Sequence, residues 1–455
     1  MSKLKVAIVL IAGCCVGGCV NWSSDVDRYR QVLDTVQPSM RPAYDADAPL
    51  SLIAALRIAN ADNETIASSG EDYIQALADK MRQAGTFLPT LTLSPSYTIS
   101  DSGGTSFSGI GGGAGSGSRR ESTSVTASAS ASGSLSDVSS IRAADRVVEQ
   151  RRQLLLDTRE TVLLQVVQAY YEVLRREKQV EVLRSSVAVR EEQVRDQEER
   201  LRVGNARPLD LAQSQADLAA TQVSLSQART AAANARSALA VLMGVDAVAG
   251  PLTDEFSPPN DGDELDAWRQ QALQQRQDLA AAARAVEAAR ENVEAAIRQY
   301  FPSAGINFDY FLYSDPDSSR DWTAGVSLNV PIFSAMRIEA EIRRAWSAYR
   351  QAGLAEQRTR RSVLDEVTQA YTSLIASREE VRLLQIQVDA ARRAVDLAER
   401  AYRLGAESNL NRLIQRDNLL TAELSLIDRQ FDEKANYLAL LRSVGRLSEV
   451  LSPQQ

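Results

Sequence analysis

The side chains best placed for covalent chemistry lie at the start of the chain. Cys14, Cys15 and Cys19 are the three cysteines of the 455 residues. Lys3 and Lys5 form a basic segment, Val6 to Ala12 an apolar one, and Gly and Cys follow, the layout of a secretory signal peptide. The apolar run is too short for a membrane-spanning helix, which needs about 20 residues. Val16-Gly17-Gly18-Cys19 resembles a bacterial lipobox, in which small residues admit the signal peptidase and the thiol accepts a lipid. Ile11-Ala12-Gly13-Cys14 fits the same pattern, and an ordinary cleaved signal peptide is the third reading. Cys19 is the preferred site, with Cys14 as the alternative. Cleavage before Cys19 removes the other two thiols and leaves none unpaired in an oxidising compartment. Val20, where an Asp would signal retention, favours delivery to an outer membrane.

Other reactive chemistry is missing from the sequence. The chain has no histidine, which removes the commonest general base, proton switch and zinc ligand. Its carboxylates are spread along helix faces, as solvated charge is, so neither an enzyme nor a bound cofactor is expected beyond the covalent lipid. With 51 Lys plus Arg against 59 Asp plus Glu, the net charge is −8, and nucleic acid is not an expected partner. Aromatics make up 5% and Ala, Gln, Arg, Glu and Leu dominate long stretches, a bias toward long helices.

An internal repeat organises these helices. Val166-Val167-Gln168-Ala169-Tyr170 recurs as Val367-Thr368-Gln369-Ala370-Tyr371, 201 positions later, and Arg202-Val203-Gly204 recurs as Arg403-Leu404-Gly405 at the same offset. Leu209 maps on Leu410, Leu218 on Leu419, Leu225 on Leu426 and Gly244 on Gly445. Within each repeat, Val166, Val173, Val180, Val187, Val194 and Leu201 lie seven apart, as do Val367, Leu374, Val381, Val388, Val395 and Tyr402. A strict heptad period holds one stripe against a neighbouring helix. Intervening residues such as Arg190-Glu191-Glu192-Gln193 and Arg392-Arg393 suit a solvated face. Each seam stops at Gly204 or Gly405, where the chain folds back. Pro208 opens the first return helix and Ser408 caps the second. A continuous helix from Ser140 to Arg202 would rise about 90 Å, a length that suits crossing a compartment.

Before each hairpin lie two segments of period-two alternation. Leu91, Leu93, Pro95, Tyr97 and Ile99 share one face, and Val125, Ala127, Ala129 and Ala131 another. In the second repeat the sets are Ile306, Phe308, Tyr310 and Leu312, then Ala324, Val326, Leu328 and Val330, with Trp322 suited to an interfacial belt. Gly/Ser-rich residues 102–120 and polar residues 314–321 suit hairpin tips. Four strands cannot close a membrane barrel, and open edges facing hydrocarbon cost several kcal/mol for each unpaired backbone group. Several copies must share one barrel, and three copies supply twelve strands.

Helix, strand pair and long hairpin, twice over, resemble the TolC-type outer-membrane efflux protein family, and the lipobox points to its lipoprotein branch. Leu50 to Asn60 resembles the family's first helix. Leu88-Pro89 and Phe301-Pro302 resemble its strand starts, and Val330-Pro331-Ile332-Phe333 a strand end. The resemblance covers nearly all of the chain after Tyr44. It implies a mainly α protein with membrane β: a homotrimer whose twelve-stranded β-barrel, four strands per chain, continues as a long α-helical barrel of coiled-coil hairpins. It also implies docking with a periplasmic adaptor and, through it, an inner-membrane transporter, in contact with outer-membrane lipid. The expected function is a passive exit duct for drugs or other small molecules. The alternative is the conduit of a type I protein secretion system, which shares the architecture. An adaptor protein would carry one hairpin between lipoyl-type segments, and so fits less well.

The expected boundaries are a signal peptide over 1–18, an extended segment over 19–48, repeat 1 over 49–245, a linker over 246–262 and repeat 2 over 263–455. Strands are expected at about 88–100, 121–133, 302–313 and 321–332, and hairpins at about 140–245 and 335–445. In the family the hairpin tips meet the adaptor, which makes Val203, Gly204, Leu404 and Gly405 docking residues. The bland reading of the two glycines is that they supply left-handed turns. Acidic residues after the turn often narrow the periplasmic aperture. Asp210 matches that pattern, whereas the equivalent places in the second hairpin are Asn411 and Ile414, and Arg412 alters the local charge; Asp210, Asn411 and Arg412 are the candidate aperture residues.

Overall fold

A computed structural model describes residues 22–33, 45–102, 118–259, 264–315 and 321–451. Cys14 and Cys19 lie outside them. Two compact units are built from alternating stretches of chain, one from residues 1–74, 151–281 and 357–455 and the other from 75–150 and 282–356. The helices are α1 (Trp22–Val32), α2 (Leu52–Asp62), α3 (Glu64–Gly85), α4 (Leu135–Arg202), α5 (Pro208–Met243), α6 (Leu265–Gln275), α7 (Gln277–Arg298), α8 (Arg337–Arg403) and α9 (Asn409–Val444). The strands are β1 (Leu50–Ser51), β2 (Thr90–Ser102), β3 (Ser118–Ser134), β4 (Leu252–Thr253), β5 (Ser303–Asp315) and β6 (Trp322–Asn329). Among the described residues no helix is long and apolar enough to cross a membrane.

The helical unit is organised by the heptad seams. Val166, Val173, Val363, Val367 and Val388 are fully enclosed, and Leu374, Val187 and Val194 nearly so. A similar hydrogen bond ends the return helix of each hairpin. Asn63, between α2 and α3, donates from Nδ2 to the carbonyl of Leu242 at 2.8 Å, and Arg276, between α6 and α7, donates from Nη1 to that of Ser443 at 3.2 Å. Leu242 and Ser443 are 201 residues apart, and each stands two residues before a left-handed glycine, Gly244 (φ 69°) or Gly445 (φ 85°). A Cβ on Gly244 would lie 2.5 Å from the carbonyl of Asp62, so the close approach of α2 to the end of α5 requires glycine.

Two segments differ from the sequence expectation. Within 19–48, expected to be extended, α1 is helical because Tyr29 and Leu33 are buried in the core. Tyr29 seats on Gly70, where an added Cβ would stand 2.6 Å from its ring. Within the 246–262 linker, β4 pairs in parallel with β1. The hydroxyl of buried Tyr170 sits 2.8 Å from the carbonyl of Leu50 and 2.6 Å from that of Thr253, bridging the two strands, and burial pushes its pKa up to about 12.

The second unit carries a four-stranded antiparallel sheet of order β2-β3-β5-β6. Its register sorts side chains into rows. Leu91, Ala129, Phe308 and Ala324 are successive partners across the sheet, and so are Leu93, Ala127, Tyr310 and Trp322. Between them runs the polar row Thr92, Ser128, Asp309 and Thr323. Slipping any strand by one residue would mix the rows, so the alternation itself sets the register. Leu91, Tyr97, Ile306, Val326 and Leu328 are more than half exposed, an apolar face that none of the described residues covers. The outer edges of β2 and β6 have no strand partner among the described residues.

Candidate functional site: the hairpin ends

Both long helices end in the same way. The Asn205 amide donates to the carbonyl of Arg200 at 2.7 Å and that of Gly204 to Leu201 at 3.1 Å; Ala406 donates to Ala401 at 2.9 Å and Gly405 to Tyr402 at 3.0 Å. This double bond pattern needs a left-handed residue after the helix, and Gly204 and Gly405 supply it with φ of 78° and 71°. No atom lies within 4 Å of where a Cβ would stand on either glycine. Val203 and Leu404 project beside them, 64% and 84% exposed. The return helices start differently. Pro208 is the first residue of α5, and Asp210 in its first turn is bound by the Arg207 guanidinium at 3.1 Å, while Ser408 Oγ accepts from the Asn411 amide at 3.2 Å to cap α9. Acidic Asp210 complements the positive end of the helix dipole.

The two turns belong to one site. Gly204, Asp210, Tyr402, Gly405 and Asn409 line a shallow cavity of about 460 Å³. Behind it a polar cluster joins all four helices. Arg412 is 4% exposed, and its guanidinium carbon stands 4.2 Å over the Tyr402 ring. Its Nη2 donates to Asn409 Oδ1 at 2.7 Å, and Asn409 Nδ2 donates to the Asp210 carbonyl and to Ser214 Oγ, both at 3.2 Å. Gln197 Nε2 donates to the Tyr402 hydroxyl at 2.8 Å. Burial lowers the pKa of Arg412 from its usual value, opposed by the charge of Glu399.

Arg412 is therefore packed between helices, not displayed beside Asn411, which is half-buried, and the exposed Ile414. Arg190 and Gln193 also depart from the expected solvated face. Arg190 is 3% exposed, pairing through Nε with Asp217 at 2.8 Å and through Nη2 with Asp417, and Gln193 is 6% exposed. Sequence reasoning passed over Gln197, Ser214 and Asn409, which lie off the two apolar heptad stripes and gain their partners only through helices distant in sequence.

Paired helical hairpins and a sheet that, among the described residues, has an apolar face and two unpaired edges fit a channel-type protein. The chain matches the family model described as outer membrane efflux protein over residues 56–245 and 268–446. It is 26% identical over 319 residues to the outer membrane efflux protein BepC of Brucella suis, covering 68% of this chain and 69% of the relative. Against the alkaline protease secretion protein AprF of Pseudomonas aeruginosa it is 25% identical over 306 residues, 64% and 62% of the two chains. The crystal structure of CusC matches with a TM-score of 0.76 at 18% identity, covering 89% of this chain and 95% of that one. The chain belongs to the outer membrane efflux protein family, and it is the outer-membrane channel component of an efflux system.

Proposed function

We propose that this chain forms, as three copies, a twelve-stranded barrel continued by a helical tunnel, and serves as the passive exit duct for small molecules. An inner-membrane transporter hands over the cargo through a periplasmic adaptor that docks on Val203, Gly204, Leu404 and Gly405. Asp210 and Asn411, with Arg412 packed behind them, stand at the aperture, and the mature chain is anchored through a lipid on Cys19. The observation that carries the reading is the sheet: four strands with an exposed apolar face and both edges unpaired among the described residues. In hydrocarbon such edges are costly, and closure removes them. The experiment is export in cells lacking the chain. Restored export of toxic small molecules on re-expression supports the duct, and unchanged accumulation overturns it. The name of the protease-secretion relative favours one second reading, a protein conduit. It would appear in the same cells as loss of a secreted protein with small-molecule export intact.

A further inference from the structure

The helical unit holds a cavity of about 790 Å³ that shares no residue with the hairpin ends; α2, α4, β4 and α9 all contribute to its wall. Leu52, Ile53, Leu441, Phe256 and Tyr437 make much of that wall apolar, and the Phe256 and Tyr437 rings stand 6.0 Å apart at an interplanar angle of 35°. Cavities that enclose a drug-sized molecule span about 300–1,000 Å³ and combine such a wall with a few placed polar groups.

Two of the polar groups lining it lack a partner. Tyr171 is 1% exposed, and neither its hydroxyl nor Thr253 Oγ1 has a hydrogen-bond partner among the described residues. Its neighbour Tyr170, by contrast, sets its hydroxyl between two strand carbonyls. A buried hydroxyl without a partner is destabilising, and the equivalent position 201 residues on avoids the loss: Thr372 donates to the carbonyl of Thr368 at 2.9 Å within its own helix. The charges at the cavity also leave one group over. Asp254 is held by Lys434 at 2.7 Å and Glu449 by Arg446 at 2.9 Å, and neither Arg57 nor Arg446 is free. Glu255 is exposed and has no ion-pair or hydrogen-bond partner among the described residues.

We propose that this cavity binds an organic cation, with a flat ring against Phe256 and Tyr437, its charge toward Glu255, and a polar substituent on the hydroxyls of Tyr171 and Thr253. Aromatic faces attract cations. A hydroxyl both donates and accepts, so an amine on the ligand satisfies it. A neutral ring would leave Glu255 unmatched, and an anion would be repelled by it. The duct reading does not require this site, and failure of the site leaves that reading untouched.

The probe is ethidium, a flat cation with two amines, titrated onto the full-length protein in detergent and read by fluorescence anisotropy, with the signal from empty micelles subtracted. One saturable site per chain is expected. Glu255→Gln, at an exposed position that does not threaten the fold, is expected to weaken binding about fivefold, and Phe256→Ala about tenfold. Glu71→Gln, at an exposed carboxylate of α3, leaves it unchanged. Tyr171→Phe removes the unpartnered hydroxyl, and is expected to raise the melting temperature of the ligand-free protein while weakening ethidium binding. Equal affinity in the parent, Glu255→Gln and Phe256→Ala places ethidium elsewhere and overturns the proposal. A lower ligand-free melting temperature for Tyr171→Phe also overturns it, because the hydroxyl then already has a partner, such as an ordered water.

Discussion

At the scale of single residues, Gly405 allows docking to be separated from folding. Its φ of 71° is unfavourable for a side chain, yet no atom stands where a Cβ would go. Gly405→Asp should cost about 1 kcal/mol of backbone strain and leave trimers in the outer membrane. Crosslinking to the adaptor and drug efflux should be lost. Normal crosslinking at normal trimer levels would make the turn purely structural. For the lipid, palmitate labelling should vanish in Cys19→Ser and survive in Cys14→Ser; the reverse pattern moves the anchor to Cys14. Glu160 gives a pH signature. It is 5% exposed, its Oε1 accepts from the Ser448 amide at 3.1 Å, and burial raises its pKa. A raised folded pKa means the fold prefers the protonated acid: that stabilisation is fully present below the unfolded pKa and is lost as pH rises through the folded one. Glu160→Gln keeps the acceptor and removes the ionisation. It should therefore raise the melting temperature at pH 7 relative to the parent and narrow the difference in mildly acidic buffer. A lower melting temperature at pH 7 would show that the charged form is the stabilising one.

At the scale of elements, the sheet and the seams respond to opposite kinds of change. Phe308 lies in the apolar row and stacks on Trp322 with ring centroids 6.1 Å apart, while its neighbour Asn307 points to the other face. Phe308→Arg should cost about 2–4 kcal/mol if that face meets lipid near the midplane, read as a lower denaturant midpoint of detergent-solubilised trimers. Asn307→Arg should be tolerated. Equal losses at the two positions would contradict a lipid face. In the helices, the apolar heptads were legible because Val166, Val173, Val367 and Val388 recur at a fixed spacing and are buried. Arg190 and Gln193 were misjudged because the face covering them includes α9, more than 200 positions away in sequence. Local periodicity reports that a position lies off the main stripe. It carries no information about a second stripe supplied by a distant helix.

At the scale of the whole molecule, assembly is the central expectation. Purified full-length protein in detergent should have the mass of three chains, with no stable inserted monomer, because among the described residues each chain leaves two strand edges open. A monodisperse monomer with full β content would remove the shared barrel.

The sequence by itself determined what repeats do: the offset of 201, the two heptad seams, the four glycines that end helices, and the alternation that sorts the sheet into apolar and polar rows. These follow from local periodicity and backbone sterics, which act over a few residues. Only the tertiary structure decided that α1 is helical, because its polar sequence gains a core through Tyr29, seated on Gly70, and Leu33 just beyond it. It alone paired β1 with β4 beneath Tyr170, and enclosed Arg412 under Tyr402. Each of these depends on partners far apart in sequence, where burial and hydrogen bonding outweigh local propensity.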